Sequence, residues 1–413
     1  MSDALEHGPT AYPELDGNFE GTPGKNEGCT SLLVDTAPGN YRVRMTLSPK
    51  ENAIASEAYV FLGRRMLAAC LAATDGIREV SGTVHVGGFI PRGADRVCLG
   101  RLAVTLIAPS LQLTSCSFER ADLPTIHIAG DSTVTDQPAE HPYRPIANYA
   151  GWGQMLPIFL NGSFSVANHA HSGLTTESFR AQGHYDILLR ELRAGDYVFF
   201  QFAHNDQKLS HLEANGGFRD NLIRYAQEIR ARGAHPVLVT PLSRNTWNRE
   251  SYNDLLRNHA QAVRVLGQEY RIPVLDLHGA SMEAIQRAGQ TMASRWFHDG
   301  DYTHTNDCGA FLAARYIAGA MRDISGYENA YDALARSVDP VALREDSPAA
   351  AMFSSILGSR THRLDAGQSD GQPEEALPRQ RDIVPEDLTG PAVWQIDEGG
   401  VLKNPDGSPV APP

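Results

Sequence analysis

The spacing of apolar positions follows two different patterns, one before and one after about residue 122. Over residues 21–107 the apolar residues follow the two-residue period of β-strands, as in residues 41–47, and glycine and proline separate the runs. This pattern predicts a β-rich N-terminal domain resembling a β-sandwich over residues 1–122. The apolar passage 58–73 fits either a pair of strands or a helix, since its periodicity favours neither.

After residue 122, short apolar runs alternate with helical segments. The apolar runs are 126–129, 164–167, 197–202, 236–239 and 273–277. The helical segments are 146–160, 187–193, 218–232, 254–270 and 308–324. Strand and helix alternating five times predict an α/β domain over residues 123–330. Its sheet should be parallel and covered on both faces, with functional groups at the carboxyl ends of the strands.

The C-terminal part, residues 331–413, is predicted to be a largely irregular extension. The helical pattern weakens after residue 326, and residues 360–413 are rich in proline, glycine, aspartate and glutamate. Such a composition offers little apolar surface to bury. The residues most suited to packing there are Val393 and Trp394.

Charge and cysteine content argue against several classes of function. The formal net charge of -13 over 413 residues argues against nucleic-acid and anionic-membrane partners. No run approaches the roughly 18 apolar residues of a membrane span, and residues 1–16 lack a secretory pattern, so we expect a cytoplasmic protein. The five cysteines are widely spaced without a C-x-x-C pair, which favours buried thiols.

A serine nucleophile is indicated where the first strand of the α/β domain ends. Gly130 permits a sharp turn, and Ser132 then lies at the rim of the sheet, although a helix cap would use the same residue types. A serine needs a general base, and the base needs an orienting group. Asp301 and His304, three residues apart before the last predicted helix, supply both. Taken alone, that segment also fits an ordinary surface loop.

Acyl transfer further requires donors for the oxyanion. Gly173 follows the second strand and can present its backbone N–H closely, while Asn205 follows the third strand and offers a side-chain amide. With the Ser132 N–H, these groups make three donors. Each is common in loops, but their joint occurrence after successive strands favours an acyl-transfer site.

This combination resembles the SGNH/GDSL hydrolases. The resemblance implies a flavodoxin-like three-layer α/β/α fold with a five-stranded parallel sheet and no cofactor. It makes Ser132 the nucleophile, Asp301 and His304 the other members of the triad, and Ser132, Gly173 and Asn205 the oxyanion hole. One departure is at residues 171–172, His-Ser, where relatives often have an arginine or a glycine-rich turn before the donor glycine.

Residues 129–134, 151–153, 204–206 and 301–305 more closely resemble the rhamnogalacturonan acetylesterases, over roughly residues 124–324. The resemblance implies a serine carbohydrate esterase that removes O-acetyl groups from pectic rhamnogalacturonan oligosaccharides or polysaccharides. Residues 20–23 and 38–43 are similar to the start of the N-terminal β-domain of some bacterial relatives, a galactose-binding-like domain. Substrate contacts are expected from four side chains: Asp131, Trp152, Trp247 and Trp296.

Three alternatives remain open. The enzyme could act on another acetylated glycan, such as xylan. A metal-dependent phosphoesterase would use a dinuclear centre. Its ligands would be His204, Asp206, Asp299, Asp301 and His304. A non-catalytic carbohydrate-binding protein would use the β-rich region and exposed aromatic residues, but it leaves the triad and oxyanion positions unexplained.

Overall fold

The computed structural model describes residues 28–365 except 74, 91–96, 138, 140–142 and 328, together with 395–396 and 402–403. Its N-terminal region is a sandwich of antiparallel sheets. The strands are β1 (Cys29–Val34), β2 (Gly39–Pro49), β3 (Ala58–Leu62), β4 (Met66–Leu71), β5 (Arg78–Val86), β6 (Gly88–Phe89), β7 (Cys98–Leu99), β8 (Leu102–Ile107) and β9 (Leu111–Arg120).

One sheet has the order β1-β8-β3-β4 and the other β5-β2-β9, while β6 and β7 form a separate pair. Along β2, Tyr41, Val43 and Met45 point into the core and the residues between them are exposed, so the two-residue period correctly predicted this strand. The ambiguous passage 58–73 forms the antiparallel pair β3 and β4. The β-sandwich prediction is therefore confirmed for the described residues.

The second region is built on a parallel sheet with the order β11-β10-β12-β13-β16. Its strands, and a short ribbon between them, are β10 (Thr125–Gly130), β11 (Ser165–Asn168), β12 (Tyr197–Gln201), β13 (His235–Val239), β14 (Trp247–Asn248), β15 (Ser251–Tyr252) and β16 (Val274–Leu275). The helices are α1 (Trp152–Met155), α2 (Ser178–Ala181), α3 (His184–Glu191), α4 (Gly217–Ala231), α5 (Arg257–Tyr270), α6 (Leu277–Ala288), α7 (Gln290–Ala293), α8 (Asp307–Arg322), α9 (Ala330–Arg336) and α10 (Pro348–Asp365).

The two faces of this sheet bury separate apolar cores. Ile126 and Ile128 of β10 face a core that includes Phe311 of α8. Ala129 lies in the opposite core, which includes Tyr225 of α4. Because each face is covered by helices, the strands are buried on both sides. The sequence-based prediction of a three-layer α/β/α fold is confirmed.

The prediction of an irregular region from residue 331 onward is wrong for the part described up to residue 365. This part contains α9 and α10, and Met352 and Phe353 of α10 join the core. Phe353 stacks on Phe311 with ring centroids 4.6 Å apart. Such helices gain most of their stability from packing, which the local pattern does not reveal. Val393 and Trp394 lie outside the described residues, and β17 (Gln395–Ile396) pairs with β18 (Leu402–Lys403).

All five cysteines are buried thiols that form no disulfide, as the sequence predicted. None of the helices in the described residues has both the length and the apolar character needed to cross a bilayer.

Candidate active site

The turn after β10 holds Ser132 at the carboxyl edge of the sheet. A Cβ on Gly130 would lie 2.7 Å from the Gln201 carbonyl oxygen, so glycine is required for this close approach. The Asp131 carboxylate accepts hydrogen bonds from the Thr133 N–H at 2.9 Å and the Thr133 hydroxyl at 2.8 Å, which fixes the turn. The Ser132 side chain faces away from this anchor, toward His304.

Ser132, His304 and Asp301 form a continuous hydrogen-bonded chain. The Ser132 Oγ lies 2.8 Å from His304 Nε2, and His304 Nδ1 lies 2.8 Å from Asp301 Oδ2. Because a carboxylate can only accept, Nδ1 carries a proton and Nε2 is left to receive the serine proton. The structure thus brings the three predicted triad residues together.

The loop that carries His304 is itself held by Asp301. The second carboxylate oxygen accepts hydrogen bonds from the backbone N–H groups of Thr303 at 2.6 Å and His304 at 3.0 Å. Burial alone raises the pKa of Asp301. The hydrogen bond and charge of His304, together with the backbone donors, outweigh burial and lower this pKa below its usual value. Asp301 is therefore ionised where it can stabilise an imidazolium.

The start of α8 sets the position of this loop. Asn306 is the N-cap of α8, and its side chain accepts a hydrogen bond from the Gly309 N–H at 3.0 Å. The same side chain donates to the carbonyl groups of Arg295 and Phe297.

The two other predicted oxyanion residues lie on adjoining loops. Gly173 has a φ of +82°, a left-handed conformation that favours glycine. Asn205 Nδ2 donates to the Leu174 carbonyl at 3.1 Å, which ties its amide to the Gly173 loop.

Ala203 has a φ of +128°, an unfavourable conformation for a residue with a Cβ. This strained residue directly precedes the segment that carries Asn205 and had no signal in the sequence.

Two of the four expected substrate contacts are wrong. Asp131 is fully buried, with one carboxylate oxygen in the turn and the other 3.2 Å from His204 Nδ1. Trp152 is also fully buried, and its indole N–H donates to Gln201 Oε1 at 2.7 Å. Side chains with no exposed surface cannot stack on a sugar or bind it. Both residues instead support the loops around Ser132.

Trp247 and Trp296 are half-buried beside a small apolar cluster formed by Ile285, Ala293 and Phe297. The Trp247 indole donates to Asn245 Oδ1 at 2.7 Å. Their remaining exposed surface leaves contact with a sugar as a prediction.

His204 supports the site by holding the Asp131 carboxylate. Its Nε2 lies 2.9 Å from the Leu242 carbonyl oxygen and its Nδ1 faces Asp131. Burial alone raises the pKa of Asp131, but the charge and hydrogen bond of His204 and the Thr133 donors lower it below its usual value. The sequence treated His204 as a motif residue and a metal ligand, whereas the structure gives it a partner in Asp131.

The proposed dinuclear metal ligands do not converge. His204 pairs with Asp131, Asp206 Oδ1 accepts hydrogen bonds from the Thr176 N–H and hydroxyl, and Asp301 pairs with His304. Asp299, the fifth residue of the set, is exposed. Among the described residues, a different set brings its possible ligand atoms within 4.8 Å of one another, formed by His127, His169 and Glu191.

Sequence reasoning missed Arg65, which reaches from the sandwich into the α/β domain. Its guanidinium lies 3.0 and 3.3 Å from the two oxygens of Asp307, the first residue of α8. It also donates to the carbonyl groups of Tyr149 at 2.6 Å and Gln137 at 2.9 Å. Arg65 and Asp307 are buried. No local pattern could reveal a contact between residues 242 positions apart.

A pair of aromatic rings beside the triad was also missed. Tyr149 stacks on His298 with ring centroids 3.8 Å apart and meets His304 edge-on at 5.9 Å. Tyr149 is also held by the hydrogen bond from Arg65 to its backbone carbonyl, so the Tyr149 and His298 rings support one side of the His304 imidazole.

Comparison with known proteins agrees with this geometry. The model of the GDSL-like lipase/acylhydrolase family matches residues 128–310. The rhamnogalacturonan acetylesterase RhgT of Bacillus subtilis (strain 168) is 31% identical over 213 residues, covering 48% of this chain and 90% of the relative. The uncharacterized esterase YxiM of the same organism is 27% identical over 294 residues, covering 70% of this chain and 73% of the relative. The probable rhamnogalacturonan acetylesterase YesY, also from that organism, is 27% identical over 207 residues, covering 48% and 93%. The chain therefore belongs to the GDSL-like lipase/acylhydrolase family, the SGNH/GDSL hydrolases, and is an esterase.

Proposed function

We propose that this chain removes O-acetyl groups from pectic rhamnogalacturonan, as oligosaccharides or polysaccharide, by a serine acyl-enzyme mechanism. The single observation that carries the proposal is the chain of short hydrogen bonds from Ser132 through His304 to Asp301. It lies at the carboxyl edge of a parallel sheet, where α/β folds collect their ligands.

In the proposed reaction, His304 Nε2 takes the proton of Ser132 as Oγ attacks the ester carbonyl carbon. Collapse of the tetrahedral intermediate breaks the bond to the sugar oxygen, which leaves with the proton from His304. Water then attacks the acetyl-serine by the same steps in reverse, releasing acetate. Asp301 stays ionised throughout and stabilises the imidazolium.

The oxyanion of the intermediate is assigned to the N–H groups of Ser132 and Gly173 and to the Asn205 side chain. Since one Asn205 amide hydrogen is used by Leu174, the second remains for the substrate. Donors already held in place need no reorganisation when charge develops on the carbonyl oxygen, which is why such groups contribute strongly to rate.

The substrate class is supported by the relatives, two of which have names that specify rhamnogalacturonan acetylesterase activity. Trp247 and Trp296 are the side chains we assign to sugar contact, because partly solvent-exposed aromatic rings are suited to stacking on sugar rings.

Acetate release from acetylated rhamnogalacturonan oligosaccharides, from the polymer and from acetylated xylan tests this proposal. The native protein should release acetate from the rhamnogalacturonan substrates, and Ser132→Ala should abolish release while retaining the native melting temperature. Ser163→Ala, an exposed serine on the loop before β11, is the matched control. Release from xylan alone would overturn the substrate assignment, and release unaffected by Ser132→Ala would overturn the nucleophile.

A further inference from the structure

A second cluster of ionisable side chains lies outside the triad, where the sandwich meets the α/β domain. His85 comes from β5, which packs beside the edge strand β11. His127 lies in β10, His169 directly follows β11, and Glu191 ends α3. The proposed esterase mechanism uses none of these four side chains.

Three of them present ligand atoms to a common point. His127 Nδ1 lies 3.0 Å from His169 Nε2, and His169 Nε2 lies 3.8 Å from Glu191 Oε2. All three atoms lie within 4.8 Å of one another. A tetrahedral zinc ion with bonds of about 2.0–2.1 Å requires ligand atoms separated by roughly 3.3 Å. Only small shifts would bring these atoms to such distances.

The hydrogen bond on the far side of His127 orients the ring for a metal. Its Nε2 lies 3.4 Å from Asp196 Oδ2, so Nε2 carries the proton and the Nδ1 lone pair faces the cluster. A histidine held by a carboxylate behind it is the usual arrangement at zinc sites.

His85 contacts the cluster from the sandwich. Its Nδ1 lies 2.7 Å from Asn40 Oδ1, and the amide orientation is fixed because Asn40 Nδ2 donates to the Leu123 carbonyl at 2.8 Å. Its Nε2 lies 3.1 Å from Glu191 Oε2, a contact that holds this carboxylate on the sandwich side of the cluster.

We propose that His127, His169 and Glu191 bind a divalent transition-metal ion, with Zn²⁺ as the expected ion, and that His85 holds Glu191 in place. Imidazole nitrogen with carboxylate oxygen suits Zn²⁺. Through the His85–Glu191 contact, the site is also linked to β5 of the sandwich. The ion also anchors His169, four residues before Gly173, so the site contributes to the position of the oxyanion loop.

Metal binding is tested on the full chain, stripped with a chelator and then dialysed. Calorimetric titration with ZnCl₂ and elemental analysis should give about one Zn²⁺ per chain. Titration with Co²⁺ should produce the visible bands of a tetrahedral nitrogen and oxygen site, without the intense sulfur-to-metal band that cysteine ligands would cause. Zn²⁺ should also raise the melting temperature. Absence of stoichiometric binding to the folded native protein would overturn the proposal.

Variants locate the site. His169→Gln and Glu191→Gln should each abolish stoichiometric binding, and Asp196→Asn should weaken it by about 10- to 100-fold, the usual effect of losing the group behind a metal ligand. His211→Gln, an exposed histidine paired with Glu177, is the matched control and should bind like the native protein.

Two further results separate the outcomes. Ser132→Ala should retain the metal, because the triad is not part of this site, so metal binding and esterase activity fail independently. If His169→Gln does not fold, the cobalt spectrum and stoichiometry of the native protein still decide. Equal binding by folded His169→Gln and native protein would place the metal elsewhere and overturn the assignment.

Discussion

The triad and the Arg65 contact are both buried networks of hydrogen-bonded polar groups, and they meet at the start of α8. The triad joins two loops of the α/β domain and ends in the Ser132 hydroxyl. Arg65 comes from the sandwich and binds Asp307, three residues after His304, with no group left for chemistry. The first network should govern rate and the second should govern stability.

The largest effect is expected when the orienting carboxylate is removed. Asp301→Asn retains the shape of the side chain but its amide can stabilise the wrong histidine tautomer, and kcat should fall by about 10⁴-fold, or about 5.5 kcal/mol. The melting temperature should change little. Steady-state kinetics on an acetyl ester measure this loss, with the exposed Asp299→Asn as control. A decrease below tenfold would contradict the role of Asp301.

Loss of Arg65 should affect stability instead. Arg65→Met leaves Asp307 buried without its cation, and breaking such a pair costs about 3–5 kcal/mol. Burial raises the pKa of Asp307 to about 6 even with Arg65 opposing it, which shows how unfavourable this carboxylate is without a partner. Denaturant unfolding measures the loss, and kcat of the folded fraction should fall far less than in Asp301→Asn.

Two variants sharpen that measurement. Arg65→Met combined with Asp307→Asn should recover part of the stability, because the uncompensated charge is gone. Arg44→Met, at an exposed position of β2, should unfold like the native protein. If Arg65→Met were as stable as native, the contact between the domains would not support α8.

Truncation of the oxyanion side chain should have a smaller kinetic effect. Asn205→Ala removes one donor of three, and kcat should fall by about 10²- to 10³-fold, or about 2.7–4 kcal/mol, with less change in KM. Asn248→Ala, at an exposed position of β14, is the control. Unchanged kcat would show that Asn205 does not bind the developing oxyanion and instead only ties its loop to Leu174.

The smallest effect concerns Asp206, which lies close to the triad region but carries none of its chemistry. Burial raises its pKa to about 6, against hydrogen bonds from Thr176. Among the described residues none donates to its Oδ2. Because the folded-state pKa exceeds the unfolded value, the charged form disfavours folding above about pH 6, and this penalty is lost as the pH falls toward about 4.

Asp206→Asn should therefore be more stable than native by at most about 3 kcal/mol at pH values above about 7, with the difference disappearing in acid. Thermal unfolding of both proteins across this pH range measures it. The exposed Asp220→Asn should show no such dependence. A stability difference independent of pH would mean that Asp206 is not protonated on folding.

Local sequence determined the parts that depend on neighbours along the chain. Period-two and strand–helix alternation predicted the sandwich and the parallel sheet. A parallel sheet brings the carboxyl ends of its strands to one edge, so the sequence alone could group Ser132, Gly173 and Asn205. The pairing of Asp301 with His304 followed from their spacing of three residues.

Tertiary structure decided everything that depends on burial and on distant partners. Only the folded chain buries Asp131 and Trp152, and only packing against the core makes α10 a helix. The Arg65–Asp307 pair joins residues far apart in sequence. The His127–His169 pair likewise joins a residue of β10 to the residue that follows β11. Apolar periodicity records which face of an element is buried, but it carries no information about which polar side chain from another domain will meet it there.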